Sequence, residues 1–494
     1  MSQEAEPVVQ ILPGRVRGRW RGAPGSAAAS AAFLGIPFAQ APVGDLRFAA
    51  PVPPEPWDGV RDAREYAATA QRGGTGPTTI PEPSIPGDAT LNVNVFTPRP
   101  DDRSARLPVL VYIHGGGYTA GSPASPWYDG RAFNRDGIVT VSVSYRLGFD
   151  GFAHIAGAPS NRAVRDWIAA LEWVRDNIDA FGGDPARVTI AGQSAGGGAV
   201  VTLLALPAAQ HLFHAVWALS PATVSVPAER ARTLSAKIAN LAGVAPTRDG
   251  FASIPEQRLK ELQDAATHPD PKKPLTGARA FLDEGLPWGP TIDGDLLTRS
   301  PLAAIDAGVG GDKPLVLGTT DDEFTTVTDR AKRTLRFVPA ALAFGGIGLS
   351  RTTRREYLAA NRAQHRKGTA AMVGRFVTDH IFRADVVRVA DARADAPTWV
   401  YRFSWPSPTR GWAIHCLDLP FWFDCVEAPG VATVAGDAPP RRLGDALHGA
   451  AAAFVREGNP GWTLWRGGVT RVFGGDPSMP DMLPDGYASV RALV

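Results

Sequence analysis

The strongest chemical signature in the chain lies at residues 187–198, R-V-T-I-A-G-Q-S-A-G-G-G. A β-branched run ends at Gly192, Ser194 stands at the turn, and the small residues Ala195, Gly196 and Gly197 open a helix-like segment. A serine on a sharp strand-to-helix turn is held in strained backbone geometry with its hydroxyl presented outward. Its neighbours must be tiny so that strand and helix can pass closely. The helix start beyond it favours developing negative charge. The pattern predicts a serine nucleophile; the competing reading of the pentapeptide alone is an ordinary glycine-rich turn.

Upstream, residues 108–118 read P-V-L-V-Y-I-H-G-G-G-Y, an apolar run leading directly into three glycines. Attack on an acyl carbonyl builds charge on its oxygen, and fixed backbone N–H groups stabilise it. Glycines expose those groups without side-chain obstruction. A phosphate-cradling loop is the alternative, but neither the G-x-G-x-x-G spacing nor a following Lys-Ser/Thr is present. Gly116, Gly117 and the amide of Ala195 are the expected oxyanion donors.

These groups need a frame. Apolar runs bounded by turn residues at 109–113, 138–143, 188–191, 314–317 and 399–403 predict buried strands. Residues 162–178 place Val164, Ile168, Leu171 and Val174 at helical spacing. Strand alternating with helix predicts a mainly parallel sheet covered on both faces. Residues 69–89, rich in Gly, Pro and Thr, read as a long surface loop, and the helical segments of residues 225–286 as an insertion capping the sheet.

The 494 residues carry 51 basic and 49 acidic side chains, are 44% hydrophobic, and hold only two cysteines, Cys416 and Cys425. This balance excludes a disordered chain and a disulfide framework. No apolar run approaches the roughly 18 residues of a membrane span, and the near-neutral net charge of +2 provides no basic field for phosphate backbones. The acidic start Met1-Ser2-Gln3-Glu4-Ala5-Glu6 lacks the features of a secretion signal. Neither nucleic acid nor a membrane is an expected partner, and the expected compartment is the cytoplasm.

Beyond single motifs, residues 181–196, F-G-G-D-P-A-R-V-T-I-A-G-Q-S-A-G, resemble the full serine-site signature of the type-B carboxylesterases. Residues 35–51, G-I-P-F-A-Q-A-P-V-G-D-L-R-F-A-A-P, are similar to that family's N-terminal block. L-N-V-N-V-F-T-P at 91–98, V-S-Y-R-L-G at 143–148 and E-G-N-P at 457–460 match further segments. The resemblance runs from about residue 10 to about residue 475. It implies the α/β-hydrolase fold, with a large mostly parallel sheet between helices and with insertions over the active site.

The fold orders its triad as serine, acid, histidine. The family's acid block, G-x-x-x-D-E-G, is similar to G-T-T-D-D-E-F here and implies Glu323, with Asp322 as the fallback because Phe324 stands where glycine is usual. Of nine histidines, His415 in G-W-A-I-H-C-L-D-L-P-F-W-F resembles the catalytic-histidine block. Its neutral imidazole would take the Ser194 proton while Glu323 holds its tautomer, so activity should rise towards neutral or mildly alkaline pH. Two further positions depart from the family, Gln193 where many relatives carry glutamate and Thr90 in place of a disulfide cysteine; Cys416 directly follows the expected base, where its plain role is packing.

These readings predict one α/β-hydrolase domain over residues 7–490 after a disordered 1–6 segment. It is expected to be a serine carboxylesterase that cleaves small esters through an acyl-enzyme, without cofactor or metal. A same-fold hydrolase of amides or carbamates, or an acyltransferase, uses the same machinery; a non-catalytic binding protein of this fold is the reading from another class. Oligomeric state has no signature in the sequence.

Overall fold

Alternate side chains of the strand Leu107–Ile113 enter two different cores. Val109, Val111 and Ile113 join Val188, Ile190, Val216 and Leu317 on one side, with Trp167, Val174 and Val200 packed over them. Leu110 and Tyr112 join Ala191, Trp217 and Val316 on the other, beneath Trp422, Leu447 and Phe454. Successive residues of a strand point to opposite faces, so a continuous apolar run produces a sheet buried on both.

The computed structural model describes residues 6–26, 28–73, 78–267, 282–393, 395–478 and 480–494. Among them, eleven strands form the main sheet: β1 (Arg19–Arg21), β2 (Ser30–Pro37), β3 (Asn92–Thr97), β4 (Leu107–Ile113), β5 (Val139–Val143), β6 (Gly183–Gln193), β7 (Ala215–Leu219), β8 (Leu315–Thr320), β9 (Thr398–Phe403), β10 (Thr470–Phe473) and β11 (Met482–Leu483). The spatial order is β1-β2-β3-β5-β4-β6-β7-β8-β9-β10-β11. Strands β5 to β10 in that order run parallel. The pairings β1–β2, β2–β3, β3–β5 and β10–β11 are antiparallel. The sheet is therefore mixed, with its parallel part at the centre where both faces are covered. A smaller sheet joins Val8–Ile11, Gly14–Arg17 and Val60–Asp62.

Helices α1 (Arg162–Asn177) and α2 (Ala195–Leu204) lie against one face of the sheet, which explains the buried stripe of Val164, Leu171 and Val174. A block of short helices follows β8: α3 (Thr325–Asp329), α4 (Lys332–Leu335), α5 (Ala340–Gly346), α6 (Arg351–Ala360) and α7 (Arg362–His365). They gather around α8 (Thr369–Thr378) and share a core of Ala340, Phe344, Tyr357, Met372 and Phe376. Helix α9 (Ala384–Ala392) follows, and α10 (Arg441–Glu457) covers the second face. No helix among the described residues is long and apolar enough to cross a membrane.

The five expected strands and the expected helix are present, each with ends shifted by a few residues. Of the 225–286 insertion, Ala228–Ala242, Arg248–Ala252 and Glu256–Thr267 are helical, and residues 268–281 lie outside the described residues. Of the six terminal residues expected to be disordered, 1–5 lie outside the described residues, whereas Glu6 pairs with Arg64 at 3.0 Å. The 69–89 segment is less superficial than its composition suggests: Thr69, Gln71 and Ile80 are buried. Its two arms are tied by Ile85 N–H donating to Thr69 Oγ1 at 2.9 Å, Ser84 Oγ–H donating to the Gln71 carbonyl at 3.0 Å, and Arg72 donating to the Gly87 carbonyl at 2.9 Å.

Candidate active site

Strand β6 ends at Gln193 and α2 begins at Ala195, so Ser194 alone must reverse the chain. Its backbone adopts φ 57° and ψ −121°, a region costly for any residue with a Cβ. The bend persists because its surroundings over-determine it. The Ser194 amide donates to the Leu219 carbonyl at 3.0 Å, and the amides of Gly198 and Ala222 donate to the Ser194 carbonyl at 2.9 and 3.0 Å. Helix and strand also approach closely: a Cβ on Gly196 would lie 2.0 Å from the Ile113 carbonyl oxygen, and one on Gly192 2.3 Å from that of Gly196. Glycine at both positions is a steric requirement.

Three further chain segments converge on this serine. The turn after β4 carries Gly116 and Gly117 at φ 111° and 60°. Their amides donate to no described residue, and Ala195, as the first residue of α2, has no intrahelical acceptor for its own. The loop after β8 carries Glu323, 1% exposed, and the loop after β9 carries His415. Glu323 Oε2 bonds His415 Nδ1. Its Oε1 accepts from Ser220 Oγ at 2.6 Å and from the Thr320 amide at 2.9 Å, and its carbonyl accepts from the His415 amide at 3.0 Å. Ser194, Gly116, Gly117, Gln193 and His415 all line one cavity of about 590 Å³. Ser194 and His415, far apart in sequence, thus border one cavity at the C-terminal ends of parallel strands, where doubly covered sheets open their crevices, and Glu323 bonds His415 there.

Asp322, the fallback acid, is committed elsewhere: its Oδ1 accepts from Gln364 at 2.9 Å and from Arg375 at 3.1 Å. Phe324, the departure from the acid block, has a physical role. Its ring stacks on His415 at 5.2 Å and 26°, while Phe382 covers the imidazole at 5.1 Å. Cys416 also lines the cavity; burial pushes its thiol up, so it stays protonated at neutral pH. Burial opposes the His415 imidazolium, but the adjoining Cys416 and Glu323 outweigh it and raise its pKa. His114 in the glycine turn is pushed down to about 4 by burial and stacks on Tyr145 at 4.5 Å. It is a neutral support of the turn.

The carboxylesterase family model matches residues 5–466. The chain belongs to this family and is a carboxylic ester hydrolase. It is 34% identical to the para-nitrobenzyl esterase of Bacillus subtilis over 452 residues, 87% of this chain and 86% of that protein. It is 32% identical to the phenmedipham hydrolase of Pseudarthrobacter oxydans over 463 residues, 87% and 86% of the two chains. The solved carboxylesterase of Geobacillus stearothermophilus superposes with a TM-score of 0.79 at 31% identity, covering 94% of this chain and 96% of that one. This carboxylesterase therefore has the α/β-hydrolase fold expected from its motifs.

Several contacts around the site carry no sequence signal. Gln193 Nε2 lies 3.1 Å from His415 Nε2, a contact across 222 positions. Ser220, at the end of β7, reaches Glu323 across 103 positions. Asp418 is a second buried acid; its pKa is pushed up to about 7 by burial and by the Glu323 charge, and its Oδ2 accepts from Tyr401 Oη at 3.0 Å. The cavity wall adds Asp385, which bonds Thr223 and accepts from Arg388 at 2.8 Å. The motif H-C-L-D contained Asp418, but nothing local marked it as buried beside the acid.

Proposed function

We propose that this carboxylesterase cleaves esters by a two-step acyl-enzyme route with Ser194 as nucleophile, His415 as base and Glu323 as its acid partner. His415 Nε2 takes the Ser194 hydroxyl proton as Oγ attacks the ester carbonyl carbon. Glu323 fixes the proton on Nδ1 and supports the imidazolium that forms. The amides of Gly116, Gly117 and Ala195 receive the developing oxyanion. The intermediate collapses when His415 protonates the departing alcohol, leaving an ester on Ser194 Oγ. Water, deprotonated by His415, then attacks that ester, and the released serine takes back the proton.

The observation that carries this reading is the shared cavity, lined by the strained Ser194 and by the imidazole that Glu323 holds. Nothing in the steps needs a metal or an organic cofactor. The test is Ser194→Ala with a short-chain nitrophenyl ester, for which turnover should fall by a factor on the order of 10⁶. A fluorophosphonate should label the parent protein on Ser194 and leave the variant unlabelled. Undiminished turnover in Ser194→Ala sinks the assignment.

A further inference from the structure

The near-neutral charge of the whole chain conceals a local excess. Residues 330–367 contain ten lysines and arginines and a single acid, Glu356, in a chain whose net charge is +2. The rest of the molecule is therefore net acidic. In the fold these residues make up α4 to α7 and their connections, the outer part of the helical block around α8. Arg330, Lys332, Arg333 and Arg336 are exposed and form no ion pair among the described residues. Arginines elsewhere are commonly paired, such as Arg64 with Glu6 and Asp62, and Arg402 with Asp321.

The same block exposes its large apolar side chains. Phe337 is 74% exposed, Leu342 66% and Val327 59%. The block has a core of its own, closed around Phe344, Tyr357 and Phe376, and these three residues are left outside it. The Arg336 guanidinium lies 4.4 Å over the Phe337 ring, so cation and apolar tip share one spot.

We propose that this outer surface, from Val327 to Lys367, docks on an anionic phospholipid surface. A polyanion such as a nucleic acid would satisfy the cations but leave Phe337 and Leu342 in water. A lipid interface takes both, with cations at the headgroups and apolar tips at the acyl boundary. This is peripheral association and needs no spanning helix. The surface adjoins the catalytic cavity: Phe324, which lines the cavity and stacks on His415, stands three residues before Val327. The chain leaving α8 returns to the cavity wall at His380 and Phe382. Docking there places the cavity next to esters held in a lipid phase.

The test is co-sedimentation of the full chain with vesicles of equal parts phosphatidylglycerol and phosphatidylcholine, against vesicles of phosphatidylcholine alone. Binding is expected to the anionic vesicles and to weaken with salt. Each cation near such a surface is worth about a fivefold factor. The double variant Arg333→Glu/Arg336→Glu should therefore bind more than about twentyfold more weakly. Phe337→Ser/Leu342→Ser should lose at least about tenfold, because the apolar contribution is gone. All four positions are exposed, so thermal unfolding and hydrolysis of a soluble nitrophenyl ester should match the parent. Failure to sediment with anionic vesicles overturns the proposal, as does equal binding to phosphatidylcholine alone. If Phe337→Ser/Leu342→Ser binds as tightly as the parent, the apolar tips are idle. The surface then recognises polyanions in general, and the lipid assignment falls.

Discussion

The side-chain amide of Gln193 stands 3.1 Å from Nε2 of His415, on the wall of the cavity that Ser194 also lines. With Nδ1 engaged by Glu323, an amide donor at Nε2 favours the neutral ring, the form a base requires. A glutamate there would favour the imidazolium instead. In Gln193→Glu the neutral form would appear only at higher pH. The acidic limb of kcat/KM should move upward by about one pH unit, with activity at pH 6 falling more than at pH 9. A profile with an ester that does not itself titrate measures this. An unmoved limb would show that position 193 does not sense the base.

The parent profile has a sign of its own. The His415 pKa is raised, so the neutral base is lost as pH falls through a value above the ordinary 6.5. The half-maximal point of the parent's acidic limb should therefore lie above pH 6.5, later than an unperturbed imidazole would place it.

Ser220 donates to Glu323 Oε1 at 2.6 Å in a fully buried setting. In Ser220→Ala that oxygen keeps only the Thr320 amide. A buried hydrogen bond to a charged group contributes about 1.5–3 kcal/mol. If that support acts through the imidazolium formed during attack, kcat should fall about ten- to a hundredfold with KM little changed. Steady-state kinetics on one small ester separates the two. A change confined to KM would mean that Ser220 shapes the pocket without steadying the acid.

How much of this was readable in advance follows the range of each interaction. The Ser194 turn is encoded within a few residues, since the clashes that require Gly192 and Gly196 are with the adjoining backbone. Strands β4, β6 and β8 announce themselves because both their faces are buried. Glu323 and His415 were identified through resemblance, because no local pattern says that a loop after β8 will touch a loop after β9. Ser220 and Asp418 had no signal for the same reason, and Gln193, legible in the motif as a departure from the family, gave no hint of its contact with His415: these contacts form only once strand ends align. Phe324 weakened the motif match in sequence, yet it packs directly on the His415 ring in space.

Phe324→Gly removes the ring stacked on His415. An aromatic pair of this kind contributes about 0.5–1.5 kcal/mol. With Phe382 remaining as the other covering ring, kcat for a small ester should fall about two- to tenfold. Because Phe324 also lines the cavity, esters of bulky alcohols should lose less than small ones, or gain. A panel graded in alcohol size reads the difference. A uniform loss across the panel would leave orientation of the ring as its whole effect.

Gly116 and Gly117 distinguish structural need from chemical role within one turn. Both have positive φ, so alanine at either carries the left-handed penalty of about 1–2 kcal/mol. A Cβ on Gly116 would also lie 2.1 Å from the Ala120 carbonyl oxygen, whereas one on Gly117 meets no atom within 4 Å. Gly116→Ala must therefore displace the turn, at a total of about 3 kcal/mol or more. It should lower the thermal midpoint and activity together. Gly117→Ala should cost only the backbone penalty, so its kcat reports how far the Gly117 amide has tilted from the oxyanion. Thermal unfolding paired with kcat/KM for both variants tests the contrast. Equal thermal losses would show that the turn near Ala120 can open freely, and the amides would then lack the rigidity on which oxyanion stabilisation depends.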